Sequence, residues 1–255
     1  MPVTALRGLR TSGTAGTPVP AVFPALTASG LTLRLGQMVL VASAPNVGKS
    51  PFALNLVFAS RLRTLYFSAD TDAYTQYCRL VALHSGLALE DIAREPHGYR
   101  QYLGADAIQW HYDANPSTED IDDELLAYAQ IWGAWPEIIV VDNLSNIYTG
   151  EAERWSALEK GLDYLHDLAR KTGALIIVLH HVTGEFETGT DPVPLSGLRG
   201  KVSKVPEQVL TLWRAGDELF PKMGVAIVKN RGGKADPSGR YQAFLSWDLR
   251  TGRLT

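Results

Sequence analysis

Met38-Val39-Leu40-Val41-Ala42-Ser43-Ala44-Pro45-Asn46-Val47-Gly48-Lys49-Ser50-Pro51 is the stretch on which the fold turns. It opens as a short apolar run suited to a strand buried on both faces and passes through a small-residue loop. A segment with helical apolar spacing follows, expected over residues 51–62. Phosphate binding needs successive backbone N–H groups turned around an anion, a helix N-terminus behind them, a lysine for the outer phosphates and a hydroxyl for Mg²⁺. Ser43, Ala44, Pro45, Asn46, Val47, Gly48, Lys49, Ser50 and Pro51 therefore form the candidate ATP-binding loop, with Lys49 reaching the phosphates. Ser43 stands where the usual pattern has glycine or alanine. Pro51 is tolerable because a first-turn position has no intrahelical N–H bond to lose.

The pattern repeats outward from this loop. Residues 64–67, 108–112, 138–141 and 175–179 read as further buried strands. Residues 73–87, 121–131 and 155–171 read as amphipathic helices, the last with a Leu158, Leu162, Leu165, Leu168 stripe and a stop at Gly173. Alternating strands and helices predict an α/β fold: a mostly parallel twisted sheet flanked by helices. Residues 209–213, 225–229 and 243–248 are separated by turns alone, so antiparallel strands should finish the sheet. Residues 1–23, rich in Thr, Gly, Ala and Pro, are expected as a flexible arm before a single domain over 24–255.

Composition limits the function. The 255 residues are 45% hydrophobic and 20% charged with a net charge of −3, which describes a globular chain without a general positive coat. Any nucleic-acid contact must come from a local patch. The single cysteine, Cys78, excludes an internal disulfide and a zinc site of paired CxxC motifs. No apolar run approaches the roughly 20 residues that cross a bilayer, and no signal peptide is recognisable, so a cytoplasmic location and no membrane partner are expected. Residues 1–69 carry six basic side chains and no acid, whereas residues 101–153 carry eleven acids and no Lys or Arg. The cluster Glu119, Asp120, Asp122, Asp123, Glu124 opens a helix with Ser117 or Thr118 as N-cap, where acids complement the dipole. Residues 196–234 hold eight basic residues against three acids.

Mg²⁺ on a bound nucleotide calls for Ser50 and a carboxylate at a neighbouring strand end, and Ile138-Ile139-Val140-Val141-Asp142 supplies Asp142. Hydrolysis calls for a carboxylate that orients water. Asp70, just past the second strand and expected beside the loop-bearing strand, is the candidate, with Asp72 as rival.

Leu65-Tyr66-Phe67-Ser68-Ala69-Asp70, with Arg79 in the next helix, resembles the segment of DnaB-type helicases and RadA-type proteins that carries the catalytic glutamate. Asp70 is one methylene shorter. The proline-containing loop at 44–50 also looks like that of DnaB relatives. Leu179-His180-His181-Val182-Thr183 is similar to the "HVT" of RadA and the "HH" of RepA-like helicases. Val228-Lys229-Asn230-Arg231-Gly232 is similar to the RadA "KNRFG" and DnaB "KxRxG" signatures. Together, over residues 24–248, the motifs resemble a RecA-like core, here a minimal version as in phage-encoded relatives.

The resemblance implies that His181 senses the γ-phosphate, and that Lys229 and Arg231 act on nucleotide bound by a neighbouring subunit of a homo-oligomer, expected as a hexameric ring. It also implies that the loops over residues 143–154 and 183–204 face single-stranded or forked DNA. Arg154, Arg199, Lys201 and Lys204 are the basic residues there, and Gly197 and Gly200 would let backbone approach a phosphate chain. Trp110, Trp132, Trp135, Trp213 and Trp247 are expected in core or interfaces rather than as base platforms, with Trp155 the loop-adjacent exception. The function implied is an ATP-dependent single-stranded-DNA motor in replication or recombination. The alternatives are a recombination mediator with slow ATP turnover, a branched-DNA nuclease, and a KaiC-like ATPase acting on protein.

Overall fold

The computed structural model describes residues 16–102 and 107–255. Among them, nine strands form one sheet: β1 (Met38–Ser43), β2 (Thr64–Ser68), β3 (Ile108–His111), β4 (Ile138–Asp142), β5 (Leu175–His181), β6 (Gln208–Gly216), β7 (Pro221–Asn230), β8 (Gln242–Asp248) and β9 (Arg253–Leu254). Their spatial order is β3-β2-β4-β5-β1-β6-β7-β8-β9. β1 to β6 run parallel, and β7, β8 and β9 are added antiparallel. β1, β2 and β4 are buried along their whole length, as Val-, Ile- and Leu-rich strands covered on both faces must be. The edge strand β3 is only partly covered.

Among the described residues, six α-helices accompany the sheet: α1 (Pro24–Ala28), α2 (Lys49–Ser60), α3 (Ala73–Ser85), α4 (Leu89–Arg94), α5 (Thr118–Trp132) and α6 (Arg154–Thr172). Their ends obey local chemistry. α3 starts on Asp72, whose carboxylate accepts from Thr75 N–H, and stops at the left-handed Gly86. α5 starts on a capping box in which Ser117 and Asp120 exchange hydrogen bonds, and the neighbouring acids lie in its first turns. α6 stops at Gly173, as the sequence predicts.

Two expectations change. β2 does not neighbour β1; β4 and β5 lie between them. The arm expected over residues 1–23 is docked over its described part. Residues 1–15 lie outside the described residues, while residues 16–23 are docked: Val19 N–H donates to Leu33 C=O at 2.9 Å and Leu35 N–H to Thr17 C=O at 2.9 Å. Val19 and Phe23 are buried, and Phe23 stacks on Phe52 of α2 with ring centroids 5.3 Å apart. Burying two such apolar side chains contributes about 1.5–3 kcal/mol each. A composition rich in turn formers does not register two well-placed anchors.

Candidate nucleoside triphosphate site

The loop between β1 and α2 sits at the C-terminal ends of the parallel strands, where open α/β sheets leave a crevice. Gly48 is the N-cap of α2 with φ +113°, and Asn46 has φ 59°, so the loop backbone curls ahead of the helix N-terminus. Ser43 fits without disturbance: its side chain is buried and its Oγ donates to Ala44 C=O at 2.8 Å. Lys49 is buried, with Nζ 3.4 Å from Ser43 C=O and 3.5 Å from Ala44 C=O. Arg214 on β6 donates to Asn46 C=O from the other side.

A cleft of about 700 Å³ opens over this loop. Lys49, Ser50, Asp70, Arg79, Asp142 and His181 line one part; Trp247, Leu249, Thr251 and Gly252 line another. The strand register brings these residues together. Ser43 pairs with His181, and Ser68 with Asp142, so the ends of β1, β5, β4 and β2 present their last side chains at one level. Asp70 arrives although β2 is distant from β1, because the chain beyond β2 hooks over the end of β4. Ala69 N–H and Asp70 N–H both donate to Asp142 C=O, at 2.9 and 3.2 Å.

Burial and charge set the electrostatics. Asp142 is buried, and burial raises its pKa above the usual carboxylate range against hydrogen bonds from Ser50 and Tyr66 and the charge of Lys49. Burial lowers the Lys49 pKa, opposed by Asp142 and Asp70. A buried carboxylate beside the Ser50 hydroxyl is a hard-oxygen pair of the kind that holds Mg²⁺ when phosphate and water supply its other ligands, so the donor set fits that ion. Asp72, the rival of Asp70, lines the same cleft, but its carboxylate is taken by Thr75 N–H and Oγ1 at 2.9 and 2.7 Å as the cap of α3.

Asn143 is the residue that sequence reasoning missed. It follows Asp142, is buried, and its side-chain carbonyl is fixed by Ser145 N–H at 2.9 Å and by Ser145 Oγ. Its amide nitrogen donates to Asp70 Oδ2 and lies 3.2 Å from His181 Nε2. Burial and Lys49 push the His181 pKa below the usual histidine value, leaving a neutral ring whose Nε2 can accept that second N–H. One amide thus bridges the candidate water-orienting acid and the candidate sensor. The only available signal was a polar residue directly after a strand-ending Asp.

The remaining candidates lie elsewhere. Lys229 pairs in register with Val209, which pairs with Leu40, so Lys229 and Arg231 stand toward the end of the sheet opposite the loop. Lys229 Nζ donates to Ser203 and Lys204 carbonyls at 2.6 and 2.9 Å, and Arg231 Nη2 to Lys204 C=O at 3.1 Å. Arg199 is half-buried, its N–H donating to His181 C=O at 3.2 Å and its carbonyl accepting from His180 Nε2 at 2.7 Å. Lys201 and Lys204 are exposed.

The two loop glycines have a packing reason within this chain. A Cβ on Gly197 would lie 2.7 Å from the Phe186 ring and one on Gly200 2.7 Å from the Trp155 indole, so both make room for this chain's own aromatics. Trp247, expected in core or interfaces, is packed partly buried against the core, lies against Gly48 and also lines the cleft. Among the described residues, no helix is long and apolar enough to cross a membrane.

A family model described as an AAA domain matches residues 28–185. The Gene 65 protein of Mycobacterium phage L5 is 44% identical over 248 residues, 92% of this chain and 91% of that protein. The Gene 65 protein of Mycobacterium phage D29 is 43% identical over 220 residues, 82% and 95% of the two chains. Among solved structures, an isolated ATPase domain superposes with a TM-score of 0.80 at 18% identity, covering 98% of this chain and 95% of that one. A DnaB-like replicative helicase superposes with a TM-score of 0.81 at 18% identity, covering 98% of this chain and 66% of the longer helicase. A KaiC-like protein of Pyrococcus horikoshii OT3 reaches 0.58 at 14% identity, covering 88% and 90%. With its phosphate loop, strand-end carboxylates and sheet order, the chain belongs to the AAA-domain family and has the RecA-like P-loop ATPase fold found in DnaB-type helicases.

Proposed function

We propose that this chain is an ATP-driven motor on single-stranded DNA, acting in replication or recombination as a ring, hexameric on the DnaB analogy, whose ATP sites are completed between neighbouring copies. The observation that carries the reading is the separation of two cationic groups on one sheet. Lys49 lies with Ser50, Asp70 and Asp142 at one end, and Lys229 and Arg231 stand toward the other. Within one chain the second pair does not face the first, so it serves a nucleotide only from the adjacent copy.

In this mechanism the loop N–H groups and Lys49 hold the triphosphate, and Ser50 and Asp142 hold Mg²⁺. A Mg²⁺ ion held there would supply neutralisation of the phosphate charge. Asp70 orients a water in line with the terminal phosphorus; the new O–P bond forms as the bond to the bridging oxygen breaks, ADP leaves with that bond's electron pair, and the proton of the water passes to Asp70. Lys229 and Arg231 of the adjacent copy stabilise the charge that develops, a contribution of about 10³–10⁵ in rate for an arginine finger. His181 reports the terminal phosphate to the loop over residues 183–204, because Arg199 N–H is bonded to the His181 carbonyl. Arg199, Lys201 and Lys204 offer that loop's positive charge to the DNA backbone.

The test measures ATP hydrolysis with and without single-stranded DNA while assembly size is recorded, for the wild type, Lys49→Ala and Arg231→Ala. Stimulation by DNA in an oligomer, lost in both variants, supports the motor. Rapid turnover by a strict monomer overturns the shared site. A mediator with slow turnover is the second reading, favoured because Asn143 already donates to Asp70 and so occupies an oxygen that would otherwise orient water. DNA-dependent assembly without DNA-stimulated hydrolysis supports that reading instead.

A further inference from the structure

Glu207, immediately before β6, takes no part in the mechanism above. Its side chain is 13% exposed, a depth at which a carboxylate is normally paired. Oε2 accepts from Met38 N–H at 2.9 Å, tying it to the first residue of β1. Oε1 accepts from His166 Nε2 on α6 at 3.1 Å and lies 3.6 Å from Arg231 Nη1. The backbone repeats the link, with Arg231 N–H donating to Glu207 C=O at 3.0 Å. The other terminal nitrogen of Arg231 donates to Lys204 C=O. A guanidinium has five N–H donors in a rigid fork, so anchoring both terminal nitrogens fixes its plane and leaves donors free. The Arg231 side chain remains 52% exposed.

We propose that Glu207 is a positioning residue: braced by Met38 and His166, it aims the Arg231 guanidinium outward to meet the phosphates of an adjacent copy's nucleotide. This inference rests on the reading that Arg231 acts between copies. The brace comes from two elements of the rigid core, β1 and α6, rather than from the loop that carries Arg231. A group that stabilises a transition state loses about 10²-fold when displaced by roughly 1 Å. Glu207→Ala is therefore expected to lower kcat about 10- to 100-fold, leaving the KM for ATP within about twofold because its own phosphate loop is intact.

The test is complementation in mixed oligomers. Lys49→Ala cannot turn over its own nucleotide but presents an intact Arg231, so mixing it with Glu207→Ala should restore turnover several-fold per Glu207→Ala subunit. Glu207→Gln, which keeps the volume and an acceptor for Met38 N–H but loses the charge, reads the same quantity if the alanine variant does not fold. Glu207→Asp should retain more activity than either. Arg231→Ala mixed with Lys49→Ala is the control: no recovery there overturns the between-copies reading itself. Recovery in the control, with unimpaired kcat or no recovery for both Glu207→Ala and Glu207→Gln, overturns the assignment of Glu207.

Discussion

Gly48→Ala should destabilise this protein by about 2–5 kcal/mol, as the sum of two separable costs, a backbone cost of ~1–2 and an overpacking cost of ~1–3. Gly48 has φ +113°, in the left-handed region that L-residues rarely adopt. A Cβ at this position would lie 2.6 Å from Trp247 Cη2 and 2.9 Å from Met223 Cε. Ordinary carbon contacts begin near ~3.5 Å, so the indole must retreat by about 1 Å. At roughly 2–4 °C per kcal/mol for a chain of this size, the midpoint of thermal unfolding should fall by about 4–20 °C. The assay is denaturant unfolding of the wild type, Gly48→Ala, Trp247→Leu and the double variant. Truncating the indole relieves the steric part and leaves the backbone part, so the cycle should show a favourable coupling of about 1–3 kcal/mol. Additivity to within about 0.5 kcal/mol would refute the claim that Trp247 closes on Gly48.

Three further outcomes are expected. His180 is buried, and burial pushes its pKa down to about 4. The unfolded state, near 6.5, binds the proton first, so this group's contribution is full above about pH 6.5 and falls by about 3 kcal/mol as pH drops through 4. Unfolding free energies for wild type and His180→Gln between pH 4 and 7 should show the flatter limb in the variant; parallel limbs would count against it. Lys201→Ala and Lys204→Ala should each lower the salt dependence of single-stranded-DNA binding by about 0.7 in log–log slope, the value for one lost phosphate contact. An unchanged slope in titrations from low to high salt removes that lysine from the interface. Asn143→Ala frees His181 Nε2 from its donor, so the His181 pKa should move upward in an NMR titration; a value unmoved or lower disproves the bridge to Asp70.

Much of the fold was written locally. Each predicted strand and helix has its counterpart, with boundaries shifted by a few residues. α2 begins at Lys49 rather than Pro51, and α3 ends at Ser85 before Gly86. The short elements α1, α4 and β9 were not anticipated, because a few residues hold less than two turns or two pleats of periodic signal. Pairwise relations fared differently. Gly197 and Gly200 looked like openings for DNA and are packing sites for Phe186 and Trp155. Trp247, expected in core or interfaces, packs on the core and also lines the cleft. Trp155 lies 45 residues from Gly200, and Trp247 199 residues from Gly48, beyond any local window.

The chain's own letters determined that strand and helix alternate, that the sheet is mainly parallel, and that a phosphate loop sits between the first long strand and its helix. Those properties follow from side-chain period, capping chemistry and the backbone needs of a bound anion, all read over short windows. Tertiary structure alone decided that β4 and β5 separate β2 from β1, that Asp70 still reaches the cleft by hooking over β4, and that Asn143 joins it to His181. It also decided that Lys229 and Arg231 face away from their own chain's loop. Strand order and register are set by which buried faces pack together across the whole molecule, and no local window contains that information.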